Sequence, residues 1–141
     1  MIVVSELSDE PLDVAAHLDA VASASVGATA LFVGTVRDID PDAAGRVVLL
    51  EYSAHPDAAD IVTRIAASVD TPEVRVAVSH RVGDLAVGGV AIVCAVSSVH
   101  RAEAFDVNRE LVERVKAELP VWKKQVESDG TSSWVGLGGL T

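Results

Sequence analysis

Apolar residues recur along this chain in two periods, near two in some stretches and near 3.6 in others, and the switches between them mark the elements. Ile2 to Ser5 reads as a short strand, and Pro11 occupies the first position of a helix striped by Leu12, Ala15, Leu18, Val21 and Ala22. A strand from Ala28 to Arg37 follows. Asp38 to Gly45 is acidic and broken by Pro41 and Gly45, so an exposed, mobile loop is expected before a strand from Val47 to Ser53. Pro56 opens a second helix whose stripe is Ala58, Ile61, Val62, Ile65 and Val69. Val74 to Ser79 alternates, Gly83 and Asp84 read as a turn, and Val90 to Ser97 is apolar almost throughout, as in a central strand covered on both faces. A third helix is predicted from Arg101 to Leu119, stopped by Pro120. Val121 to Glu127 and Ser133 to Gly136 then form two short strands around the turn residues Ser128 to Gly130. The order β-α-β-β-α-β-β-α-β-β predicts a single mixed α+β domain over residues 1–141, three helices on mainly antiparallel sheet, with 137–141 as a flexible tail.

Composition narrows the function. The net charge is -10 and the pI about 4.6, which excludes a general affinity for nucleic acid or anionic membrane, since both need a broad basic face. The N-terminus has no basic region or long apolar run, and no segment reaches the roughly 20 apolar residues of a membrane span, so a cytoplasmic protein is expected. Cys94, the only cysteine, lies inside an apolar strand and reads as a buried core thiol. His17 and His55 stand alone, no metal-ligand or nucleotide-binding motif is present, and no metal or cofactor is expected.

Against this acidic background all three lysines, Lys116, Lys123 and Lys124, fall within nine residues. On a helical wheel Phe105, Asn108, Leu111, Val112, Val115 and Leu119 share one face of the third helix, and Arg109 and Lys116 lie on its border. A border lysine can run its stem along apolar surface and deliver its ammonium to a cavity. At the other end of that helix, Ser97 and Ser98 offer capping hydroxyls, while His100 and Arg101 are placed to bind a phosphate at the helix N-terminus. His100 could equally cap or pack, and Arg101 could pair with Glu103 or Glu127. Arg37, at the junction of a buried strand and a loop, is either an anchored ligand or a loop-base ion pair. His80-Arg81 and Trp122 read as structural.

The motifs Phe32-Val-Gly-Thr-Val-Arg37, His80-Arg-Val-Gly83, Ser97-Ser-Val-His-Arg-Ala-Glu-Ala-Phe105, Lys116 followed by Pro120-Val-Trp-Lys-Lys124, and Trp134-Val135 together resemble the large, catalytic subunit of molybdopterin synthase. The resemblance implies that family's α/β-hammerhead-like fold. It also implies a sulfurtransferase that moves sulfur from the C-terminal thiocarboxylate of a small ubiquitin-like carrier, ending in Gly-Gly, to cyclic pyranopterin monophosphate. A homodimer of large subunits within a heterotetramer follows, with sites that borrow residues across the dimer interface. By the same resemblance Lys116 and Lys123 are catalytic, each lowering the other's pKa and polarising the thiocarboxylate. Arg37, His100 and Arg101, with Lys124 and Arg109 beside them, belong to the substrate pocket.

The chain departs from the family after Trp134-Val135, where Gly136-Leu-Gly-Gly-Leu-Thr141 supplies no cation, and Arg46 or another loop residue is a candidate substitute. Gly138-Gly139 is not a carrier terminus, because Leu140 and Thr141 follow it. The competing reading is a non-catalytic module that binds a phosphorylated metabolite, or an inactive assembly subunit. Convergence of Lys116 and Lys123 on one channel separates the two.

Overall fold

A computed structural model describes residues 1–40, 43 and 45–135. Gly136 and the tail at 137–141 lie outside the described residues.

Eleven elements follow in order among the described residues: β1 (Ile2–Ser8), α1 (Val14–Val21), β2 (Ala28–Thr35), β3 (Val47–Ala54), α2 (Ala58–Val69), β4 (Val74–Arg81), β5 (Gly83–Ala86), β6 (Val90–Ser98), α3 (Arg101–Glu118), β7 (Val121–Glu127) and β8 (Ser132–Val135). They build two four-stranded sheets, ordered β1-β4-β6-β2 and β5-β3-β7-β8. Every pairing is antiparallel except β1 with β4. The α+β class and mainly antiparallel sheet are as the sequence predicted.

The first sheet is covered on both faces, which explains why β6 is apolar almost throughout. Val74, Val76 and Val78 of β4 and Ile92, Cys94 and Val96 of β6 pack against α2 and α3, through Val62, Ile65, Val69, Leu111, Val115 and Leu119. The alternate residues Ala77 and Ala95 face Val21 of α1. Small side chains there let the short helix lie close to the strands. A third cluster of Val36, Val47, Leu50, Leu85 and Ala91 joins the two sheets. No helix among the described residues is long and apolar enough to cross a membrane.

Several boundaries differ from expectation for physical reasons. The first helix begins at Val14 rather than Pro11, because Asp13 takes the N-cap and its carboxylate accepts from the Ala16 N–H. β1 and β4 each run further than predicted, since they pair with one another as far as Ser8 and Arg81. Gly83 and Asp84, expected as a turn, are instead the first residues of a short strand, β5, in which Gly83 at a φ of +96° pairs with Tyr52 as the chain crosses to the second sheet and β3. Four residues bearing one buried leucine, Leu85, give too little pattern to be read as a strand.

Candidate active site

Lys116 and Lys123 are seven residues apart, and the fold turns that spacing into proximity. Lys116 lies in the last turn of α3, Pro120 prevents the helix from continuing, and β7 starts at once with Val121 and returns along β3. In that ladder Lys123 stands opposite Tyr52 and Gln125 opposite Leu50, so all four side chains share one face of the second sheet. Lys116 reaches the same space from the helix. A cavity of about 470 Å³ is lined by Lys116, Lys123 and Arg37, with Tyr52, Leu50 and Gln125 from the sheet. A smaller recess of about 30 Å³ joins Lys116 and Lys123 to Tyr52 and His80.

The electrostatics are those of a desolvated cationic site. Lys116 is solvent-exposed as a residue, yet desolvation at the cavity, followed by the charge of Lys123, pulls its pKa below the ordinary lysine value; Cys94 acts weakly the other way. Burial drives His80 down to about 4, with the charges of Lys116 and Lys123 adding to that effect, so it is neutral at physiological pH. Its Nδ1 lies 2.7 Å from the Arg81 carbonyl. A carbonyl only accepts, so Nδ1 carries the hydrogen and Nε2 remains an acceptor. Burial also pushes the Tyr52 hydroxyl up to about 12, leaving a neutral phenol. Two neutral polar rings thus frame two lysines, and among the described residues no carboxylate lines the recess.

Arg37 follows the end of β2, where backbone bonds between Val36 and the Gly88-Gly89 segment anchor the chain. Its guanidinium is exposed and 3.8 Å from Asp40, so it is the loop-base ion pair of the sequence reading, and it also lines the cavity. Arg109 lines an adjoining groove with Phe105 and Asn108, which shares Phe32, Val112 and Glu113 with the main cavity.

Three expected ligands lie elsewhere. Lys124 projects from the opposite face of β7 and approaches Glu51 at 3.8 Å. His100 and Arg101 are exposed at the start of α3, about 22 Å along the helix from Lys116 at 1.5 Å per residue. His100 is the N-cap but makes no side-chain capping bond. The predicted capping hydroxyls are buried in β6 instead, where Ser97 donates to the Val21 carbonyl at 2.6 Å. Arg46, considered as a substitute cation, is held by Asp38 at 2.8 Å. Trp122 packs against His55, ring centroids 6.5 Å apart, as a structural anchor.

Sequence reasoning missed three residues of this site. His80 read as structural, and neither Tyr52 nor Gln125 was singled out. Only the period-two relation of Gln125 to Lys123 could have flagged one of them.

Comparison with known proteins places the chain in a family. The family model described as MoaE protein matches residues 7–118. The chain is 43% identical over 133 residues to molybdopterin synthase catalytic subunit 1 of Mycobacterium tuberculosis, covering 92% of this chain and 88% of that protein. It is 35% identical to the molybdopterin synthase catalytic subunit of Bacillus subtilis, with 93% and 83% covered. Among solved structures, molybdopterin synthase from Staphylococcus aureus superposes with a TM-score of 0.85 at 30% identity, covering 94% of this chain and 96% of that one. With the family model spanning most of the sequence and relatives matched over nearly their whole length, this chain belongs to the molybdopterin synthase catalytic subunit family.

Proposed function

We propose that this chain is the sulfurtransferase subunit of a molybdopterin synthase, acting in the cytoplasm on cyclic pyranopterin monophosphate. Sulfur arrives as the C-terminal thiocarboxylate of a small ubiquitin-like carrier ending in Gly-Gly. The observation that carries the reading is the convergence of Lys116 and Lys123 on one cavity with Arg37. Its cations suit a phosphorylated substrate and an anionic carrier tail. A sensor of phosphorylated metabolites needs cations in any arrangement, whereas acyl and sulfur transfer needs two amines at one point.

The roles follow from the electrostatics. Two ammonium groups in a partly dry site draw the thiocarboxylate in and stabilise negative charge as sulfur is transferred. The lowered pKa of Lys116 keeps a larger share of it as free amine, able to attack the thioester that joins carrier to substrate: an N–C bond forms as the C–S bond breaks, the thiolate stays on the substrate, and water then cleaves the transient amide to release the carrier as carboxylate. Neutral His80 and Tyr52 hold the recess without adding charge.

His100 and Arg101 are too far from Lys116 to serve the same site in one chain. They join the pterin-phosphate pocket when a second copy presents the start of its α3 to this cavity, in the homodimer that the resemblance implies.

The test mixes the purified protein with thiocarboxylated carrier and cyclic pyranopterin monophosphate, and follows dithiolene formation by mass. Product from wild type and its loss in Lys116→Ala and Lys123→Ala is expected. Binding of both reactants without product in wild type would sink the transferase reading. Sharing across a dimer is tested by mixing inactive Lys116→Ala and Arg101→Ala chains. Re-equilibrated dimers then recover about a quarter of wild-type activity, because half are mixed and each mixed dimer carries one intact site. Absence of recovery would place Arg101 outside the site.

A further inference from the structure

The main cavity holds a polar group that the proposed sulfur chemistry does not use. Gln125 is 1% exposed, yet neither its side-chain oxygen nor its nitrogen has a hydrogen-bond partner among the described residues. A buried amide with both ends unmatched is costly, and such groups in folded proteins call for a partner supplied from outside the chain.

Its position is set by β7. Gln125 is two residues beyond Lys123, on the same face and about 7 Å further along the strand. Around the cavity Val36, Val47, Leu50 and Ala91 contribute apolar surface that offers the amide nothing, while Arg37, Lys116 and Lys123 contribute charge. One space therefore combines an apolar wall, one neutral amide and three cations against two carboxylates, Asp40 beside Arg37 and Glu113 at the rim shared with the adjoining groove, which leaves positive charge in excess. That set suits a flat heterocycle carrying an anionic group.

We propose that Gln125 determines specificity for the pterin ring, its carboxamide pairing with the lactam edge where a ring N–H donor and a C=O acceptor stand side by side. The inference rests on the substrate proposed above. A carboxamide complements such an edge because it presents a donor and an acceptor together at fixed spacing, as Asn and Gln do toward adenine. The amide atoms are closed to solvent in the chain alone, so the side chains over them part as the ring enters. Gln125 acts in recognition and takes no part in the transfer of sulfur.

The experiment compares wild type with Gln125→Leu, a near-isosteric apolar replacement, and with Gln125→Met in case the branched side chain does not fit. Titration calorimetry with cyclic pyranopterin monophosphate, with inorganic phosphate as a ringless probe, and with the carrier separates the possibilities. Thermal unfolding and steady-state kinetics accompany it. The variant is expected to keep or raise Tm, because an unmatched buried amide is removed, and to bind phosphate and carrier as wild type does. Its Kd and KM for the pterin rise about tenfold or more, with kcat little changed. Unchanged pterin affinity would overturn the proposal, as would an equal loss of phosphate and pterin, or a loss confined to the carrier. If wild type binds no pterin, the functional reading itself fails, a result distinct from equal binding by wild type and variant.

Discussion

His80 of β4 meets Tyr52 of β3 edge to face, ring centroids 5.3 Å apart and planes at 74°. The contact joins the two sheets at the recess where Lys116 and Lys123 meet. It keeps the imidazole dry, and its neutrality is part of the stability of the fold.

A first prediction concerns acid. The folded pKa of His80 is about 4 against an ordinary 6.5, so between those values the unfolded chain binds a proton that the folded chain does not. Stability from this group is fully present above pH 6.5 and is lost as pH falls toward 4, by about 3 kcal/mol in all at roughly 1.4 kcal/mol per unit. Denaturant unfolding at several pH values should show a steeper decline for wild type than for His80→Gln. Parallel curves would refute the assignment.

The lysine pair gives a second prediction. Lys123 lowers the pKa of Lys116 by like-charge repulsion, after desolvation the next cause. In Lys123→Gln the Lys116 ammonium keeps its proton to higher pH, so the acid limb of residual single-turnover activity moves upward in pH. Lys116→Arg keeps a cation but removes the amine, and turnover falls about a hundredfold or more if the amine is the nucleophile. Near-normal turnover would leave Lys116 a purely electrostatic role.

Gly34 supplies a third. A Cβ at this position would lie 2.6 Å from Cγ2 of the fully buried Ile92, in the β2–β6 ladder beside the cavity. Gly34→Ala should cost about 1–3 kcal/mol through overpacking. The midpoint of urea unfolding measures it, and an unchanged midpoint would mean that β2 shifts freely.

The thiol provides a fourth and simple check. Cys94 is fully buried and its pKa is pushed up to about 12 by burial. Native protein at pH 8 should resist alkylation, and unfolded protein should take up one equivalent. Rapid native labelling would show that the core around β6 opens.

Much of the architecture was legible because it rests on short-range rules. The period of two in β4, the unbroken apolar run of β6 and the 3.6-residue stripes of α2 and α3 each have a local cause, and Pro120 fixes where α3 yields to β7. That same local break made the convergence of Lys116 and Lys123 readable, since a helix end followed at once by a returning strand brings such a spacing together. Boundaries went wrong where pairing or capping decided them, as at Asp13 and in β5.

The sequence alone determined the order of every described element but β5, the burial of Cys94 and the lysine pair, because each depends on residues close together along the chain. Only the tertiary structure decided that His80 and Tyr52 frame the site, that Gln125 is buried with both amide ends unmatched among the described residues, that Lys124 faces away, and that His100 and Arg101 stand a helix length from Lys116. Those relations depend on strand order and register, which set residues far apart in sequence against one another, and no local pattern specifies them.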